Sequence, residues 1–262
     1  MRFVTIFFLI GFLLGCTKEP TTPALPSDGY VEQQTQEQRS VKDGAPKGPI
    51  PVFFNELKPR NEPFSHYGNP ASYSIAGRMY RVMKSSGGFK ERGIASWYGT
   101  KFHSQRTSSG DKYDMYAMTA AHRTLPLPTY VKVKNLKNGR EAIVKINDRG
   151  PFHSNRIIDL SYAAAAKLGV FPSGTAFVEI EALTKGKYEA QYYVQAGAFN
   201  SKNLAEQLHK KLRKLTSTTV SIERYAQRYV VTVGPFLNKS LSNNFRQRLA
   251  SHGIKGAFSV LR

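Results

Sequence analysis

Asp111, His122 and Asp148 fall, with Asp114 and Asp159, in the single stretch 93–160, which also holds the chain's only tryptophan, Trp97. Carboxyl groups placed beside a glycosidic bond can protonate the leaving oxygen and stabilise the positive charge that develops at the anomeric carbon. Asp111 follows Ser109-Gly110, a turn sequence whose backbone freedom lets the side chain face a groove. Asp148 closes an apolar run and precedes Arg149-Gly150-Pro151, which predicts a carboxylate at the end of a strand. A carboxylic acid holds its proton near neutral pH only where burial or a second carboxylate raises its pKa. His122 could orient such a carboxylate or bond a sugar hydroxyl, and Trp97 and Tyr98 could stack on the apolar face of a pyranose ring.

The same residues admit plainer roles. Asp111 in Ser-Gly-Asp could be a turn residue, Asp148 a loop carboxylate paired with Arg149, and His122 or Trp97 part of a core. Asp159 is expected to cap the helix that begins after it. His103 and His153 lie in polar loops. No HxxxH or HxH pair occurs in the chain, so neither a metal centre nor any other cofactor is expected.

These side chains need a scaffold. Short apolar, β-branched stretches at 94–98, 130–133, 142–146, 157–160 and 176–180 alternate with turn sequences such as Lys137-Asn138-Gly139 and Pro172-Ser173-Gly174. One helix is expected over 161–168, with Ser161 as a cap, an alanine run, and Gly169 just past its end. Many short strands with one short helix predict a small closed β-barrel over 91–183. Ahead of it, 66–90 is aromatic and punctuated by Gly68, Pro70, Gly77 and Gly87-Gly88, an ordered lead-in built of short strands.

The tail, 189–262, repeats itself at an offset of 37 residues: YVQAGAF from Tyr193 aligns with VVTVGPF from Val230. In each half a strand, a glycine-containing turn and a helix with apolar residues at i, i+4 follow one another, so the order is βαββαβ, a ferredoxin-like sandwich. With 12 Lys and Arg against 3 Glu, this tail is a basic module. Gln195 and Thr232 occupy equivalent positions in the two halves, and with Tyr193, Phe199 and Tyr229 they are candidate ligand contacts on the sheet.

Across 262 residues, 38 Lys and Arg against 18 Asp and Glu leave a net charge of +20, which implies an anionic partner: nucleic acid, a membrane surface or an acidic polysaccharide. The N-terminus narrows the choice. Arg2 precedes an apolar run over 3–14, too short to span a bilayer comfortably and typical of an export signal. Leu13-Leu14-Gly15-Cys16 resembles a bacterial lipobox, in which the cysteine is lipidated and becomes the first mature residue. Thr17 rather than Asp after it predicts an anchor in the outer membrane, facing the periplasm. Export sets nucleic acid aside, and a single cysteine rules out a disulfide framework. Residues 16–65, rich in Pro, Gln, Thr, Lys and Glu, read as a disordered tether behind the 1–15 signal peptide.

The motifs GIASWYG, YDMYAMTAAH, LPLPTYVKV, NLKNGR, INDRGPF and RIIDLSYAAA are similar to those of the rare lipoprotein A family, and the lipobox fits it. The resemblance covers about 95 residues and implies a double-psi β-barrel; the tail resembles a SPOR domain, whose family binds glycan strands stripped of peptides and gathers proteins at the division septum. Together they resemble a septal lytic transglycosylase that cleaves between N-acetylmuramic acid and N-acetylglucosamine and leaves 1,6-anhydro ends, with division-site proteins as further partners. The resemblance puts Asp111 as acid and then base, Asp148 as stabiliser or pKa-setting partner, and His122 as the orienting group. The family commonly carries Glu where this chain carries Asp111, which keeps open a second reading as a peptidoglycan-binding lipoprotein without catalysis. The connection at 184–188 is shorter than in many members.

Overall fold

The computed structural model describes residues 43–48, 57–153, 155–183, 190–225 and 227–262. The expected signal peptide, Cys16 with its lipid, most of the tether and the connection between the domains lie outside the described residues.

Six strands close into a barrel in the order β3-β7-β4-β6-β5-β8: β3 (Lys90–Tyr98), β4 (Thr119–His122), β5 (Thr129–Asn135), β6 (Glu141–Asp148), β7 (Arg156–Ser161) and β8 (Ala176–Ala182). The β3–β7 and β4–β6 pairs are parallel and the rest antiparallel. Alternation of β-branched and apolar residues drives the closure: Ala120, Val131, Val133, Val144, Ile146, Ile158, Leu160, Val178 and Ile180 are sealed in one core. Burying each of the larger of these side chains contributes about 1.5–3 kcal/mol. Closure also removes the free strand edges that an open sheet would expose.

Helix α1 (Tyr162–Leu168) packs across β6, β7 and β3. Ser161 is its N-cap, accepting a bond from the Ala164 amide, and Gly169 ends it in the left-handed conformation at φ 69°. Asp159 is therefore not the cap. It lies two residues earlier, inside β7, because the strand continues through Leu160 to Ser161.

The tail forms β9 (Tyr192–Phe199), α2 (Lys202–Arg213), β10 (Val220–Tyr225), β11 (Arg228–Phe236), α3 (Lys239–Ser251) and β12 (Phe258–Leu261). The sheet order β10-β11-β9-β12 with every pair antiparallel is the ferredoxin-like arrangement expected from the repeat. Val194, Ala196, Val231 and Val233 meet Ala205, Leu212, Phe245 and Leu249 of the helices in one core.

The lead-in holds the hairpin β1 (Ser72–Ile75) and β2 (Arg78–Arg81), turned by Ala76 and Gly77, both at positive φ. Just ahead of it Pro70 bridges to Val260 of β12, with the Ala71 amide bonded to the Ser259 carbonyl at 2.9 Å and the Leu261 amide to the Asn69 carbonyl at 2.8 Å. Two described pieces of the expected tether are docked on the barrel. Asp43 accepts bonds from the Gly99 and Lys101 amides, and Glu62 accepts from Lys145 Nζ at 2.7 Å and from the Tyr130 hydroxyl. Among the described residues no helix is long and apolar enough to cross a membrane.

Candidate active site

Ala121 on β4 pairs with Asp148 at the end of β6 on one side and with Asp159 of β7 on the other. Two carboxylates thus flank one small side chain, each a single strand spacing of about 4.8 Å away. Ala121 itself joins Tyr98, Tyr113, Met115 and Tyr162 in a buried cluster beside the barrel core. Tyr98, at the end of β3, stacks on Tyr113 at 4.3 Å. Burial holds the Tyr98 hydroxyl well above the ordinary phenol range, and the charges of Asp148 and Asp159 push it the same way.

Asp148 is held by one oxygen. Its Oδ1 accepts bonds from the Ser108 amide (2.8 Å), the Ser108 hydroxyl (2.7 Å) and the Arg149 amide (2.8 Å). Among the described residues Oδ2 accepts none. Burial raises the Asp148 pKa above the ordinary carboxylate value, against the opposing pull of those bonds and of the Arg149 charge. The Arg149 guanidinium is committed elsewhere, to the carbonyls of Gly68 (2.8 Å), His122 (3.1 Å) and Leu125 (2.5 Å) and to Asn69 Oδ1 (3.0 Å). It braces the ground around Asp148 without forming a hydrogen-bonded ion pair with it.

Asp159, expected as a helix cap, is instead brought beside Ala121 opposite Asp148. Its side chain is 16% exposed, its Oδ2 accepts from Arg156 at 3.2 Å, and its Oδ1 is buried with no hydrogen-bond partner. Burial pushes its pKa up to about 6, opposed by Arg156, His153 and Arg123 and reinforced by Asp148. The signal was in the sequence: in Ile158-Asp159-Leu160 the flanking residues face the core, which turns the aspartate outward.

Asp111 lies at the rim. Its side chain is exposed, and its Oδ2 accepts from the Ser109 hydroxyl (3.0 Å) and from Asn147 Nδ2 (3.4 Å). The loop 107–111 therefore carries Asp111 and, through Ser108, the clamp on Asp148. Of the two aspartates expected to act, Asp111 is exposed at the rim and Asp148 lies at the end of the buried strand β6.

His122 does not orient a carboxylate of this site. It is 2% exposed, its Nδ1 accepts from the amides of Thr124 (3.2 Å) and Leu125 (3.0 Å), and its Nε2 lies 3.5 Å from Glu91. Burial lowers its pKa, with Glu91 opposing, so the ring is neutral near pH 7. Alternation explains the placement: Ala120 and His122 share one face of β4, and Ala121 faces the other way with the carboxylates. His122 reaches the site through its carbonyl, which anchors Arg149.

The two aromatic candidates are packed against neighbouring rings, Trp97 half-buried and Tyr98 buried. Trp97 packs edge to face on Phe171 at 5.4 Å and against Tyr162, and Tyr98 is 9% exposed beneath Tyr113 and Phe102. On the C-terminal sheet Gln195 pairs directly with Thr232, and Tyr193 shares their face, the one away from the helices. Phe199 and Tyr229 pack into the helix-side core instead, so the five do not form one surface. Among the described residues no group of three or more His, Cys, Asp or Glu side chains could hold a metal ion.

Residues 90–180 match the family described as lytic transglycolase, and residues 188–259 match the SPOR domain. The chain is similar to a protein of Vibrio cholerae named endolytic peptidoglycan transglycosylase RlpA, 42% identical over 227 residues that cover 82% of this chain and 86% of that protein. A protein of the same name from Neisseria meningitidis is 42% identical over 184 residues, 66% of this chain and 77% of the other. One from Pseudomonas aeruginosa is 48% identical over 155 residues, 58% of this chain and 45% of its own.

Proposed function

The chain belongs to the RlpA family, with a double-psi β-barrel followed by a SPOR domain, and from that premise we propose that it is an endolytic peptidoglycan transglycosylase acting through Asp148. The protonated Asp148 carboxyl gives its proton from Oδ2 to the oxygen between N-acetylmuramic acid and N-acetylglucosamine. The bond from that oxygen to the muramic anomeric carbon breaks, and positive charge develops on the ring. The 6-hydroxyl of the same muramic acid attacks the anomeric carbon, its proton returns to Asp148, and a 1,6-anhydro end is left. No water is consumed, no protein nucleophile is needed, and the acid is regenerated.

Asp159, across Ala121, supplies negative charge facing the developing cation once it is ionised above about pH 6. Asp111 and Asn147 line the mouth, where they can bond sugar hydroxyls. The observation that carries this reading is the asymmetry of Asp148: one oxygen clamped three times, the other open, in surroundings that raise its pKa.

Peptide-free glycan strands incubated with the purified protein and analysed by mass spectrometry should yield anhydro-muramic ends, and Asp148→Asn should abolish them. Reducing ends, the mark of hydrolysis, or no product at all would sink the proposal. The exposed Asp111, standing where the family commonly has Glu, favours a second reading as a glycan-binding lipoprotein without catalysis. That reading predicts strand binding by the wild type with no cleavage, and cleavage gained on Asp111→Glu.

The finer setting is part of the same proposal. The basic tail, with Gln195 and Tyr193 on the helix-free face of its sheet and Thr232 buried beneath at 2% exposure, binds peptide-poor strands whose muramic carboxylates are anionic, and so concentrates the protein at the division septum beside division-site proteins. Cys16 carries the lipid that holds the chain on the periplasmic face of the outer membrane.

A further inference from the structure

The barrel loop 107–111, the lead-in and the C-terminal sheet meet at one place. Gly68 lies so close behind the loop that a β-carbon on it would stand 2.6 Å from the Ser108 carbonyl oxygen. The same stretch of lead-in is tied to the barrel by Arg149 and by paired bonds between Asn69 and the backbone of Leu127. It is tied to the C-terminal sheet by the bonds of Asn69 and Ala71 to β12.

From the other side the sheet touches the loop directly. Tyr225, the last residue of β10, places its hydroxyl 3.2 Å from where a β-carbon on Gly110 would stand. Its ring packs on Tyr67 at 4.4 Å and on His66 at 4.7 Å. Two residues before it, Glu223 accepts from Arg262 at 2.8 Å and lies 3.3 Å from His66 Nδ1, which fixes the end of the strand. Gly110 sits at φ +92°, a conformation that L side chains rarely adopt. It lies between Asp111 and the Ser108-Ser109 pair that bonds both carboxylates.

We propose that Tyr225 is a positioning residue for the catalytic loop, so that the SPOR domain is a working part of the barrel's active site as well as a glycan-binding module. This rests on the transglycosylase reading for its catalytic consequence and on the Gly110 contact for its geometry. With Tyr225 in place the loop is held between two surfaces, and the Ser108 clamp keeps the Asp148 carboxyl aimed. Without it the loop loses one wall, and the aim of Asp148 loosens while strand binding on the sheet is untouched.

The test uses the full chain. In Tyr225→Ala, kcat for anhydro-end release should fall about tenfold, since a misplacement near 1 Å of a reacting group can cost more than that, with KM and binding to peptide-free sacculi unchanged. Tyr225→Phe, which keeps the packing on Tyr67 and His66 but removes the hydroxyl that meets Gly110, should lose rate as Tyr225→Ala does. Hydrogen exchange gives a readout that needs no activity: amides of 108–111 should exchange faster in Tyr225→Ala, while those of β5 and β6 stay at wild-type rates. Unchanged exchange at 108–111 overturns the proposal, and so does a rise in KM alone, which would make Tyr225 a glycan contact. Should the wild type release no anhydro ends while the loop amides still respond to Tyr225, the transglycosylase reading fails and the positioning role stands.

Discussion

Replacing Asp159 by Asn should stabilise the protein at neutral pH, with the gain falling away toward about pH 3. Asp159 titrates at about 6 in the folded protein against an ordinary 3.8. The folded state therefore binds this proton more tightly than the unfolded chain, and ionisation opposes folding. The penalty is absent below about pH 3, where both states are protonated. It grows between about pH 4 and 6 and is constant above. Two units at about 1.36 kcal/mol each put it near 3 kcal/mol at pH 7. The side chain is 16% exposed, so solvent screening leaves most of this in place. The bond to Arg156 is already counted in the net shift. With urea slopes of about 1–3 kcal/mol per molar, the midpoint of Asp159→Asn should lie about 1–3 M above wild type at pH 7. Denaturation curves at unit intervals from pH 4 to 8 would show it. A difference that does not change with pH, or a less stable variant at pH 7, would refute the assignment of a buried, poorly solvated carboxylate.

Two further outcomes follow from the same geometry. Ser108→Ala removes a hydroxyl bond to charged Asp148 worth about 1.5–3 kcal/mol. The Asp148 pKa should rise further, moving the alkaline limb of the pH profile of kcat/KM upward; a limb that stays put or moves down contradicts Asp148 as the acid. His122→Ala strands the Thr124 and Leu125 amides and leaves a cavity, a cost of about 2–5 kcal/mol measurable by chemical denaturation. The pH profile of the fraction that remains folded should match wild type, and an altered profile would restore an orienting role to the ring.

Local rules carried the sequence reading a long way. The Ser161 cap, the alanine run and Gly169 marked α1 at both ends, and the 37-residue repeat supplied the βαββαβ order and hence the sheet. What stayed hidden depends on contacts between distant segments. His122 and Asp148 are 26 residues apart in the stretch 93–160, yet strand alternation sends the histidine to the opposite face. Phe199 has the same parity as Gln195 along β9, and only the extra residue at Ala196, where Val231 pairs with Gly197 but Thr232 with Gln195, turns it to the helix side. A single-residue bulge flips every later side chain, and its one local sign is Gly197 inside the strand. Asp159 was misjudged for a related reason: a carboxylate two residues before a helix looks like a cap until the strand is seen to run past it. The docking of Asp43 and Glu62 on the barrel was equally hidden, since a polar segment without periodicity says nothing about which amides or hydroxyls it will meet.

Pro70 has a bearing on how copies of this protein behave when crowded. A sheet whose outermost strand keeps its amide and carbonyl row open is a template on which another chain can add a strand. Here the barrel has no edge, and β12 is already bridged by a residue that has no amide hydrogen to offer onward. On the opposite side of the C-terminal sheet, β10 carries Glu223 and Arg224 side by side, a charged stretch that disfavours flat stacking. At high local concentration these two edges disfavour strand-to-strand aggregation between copies.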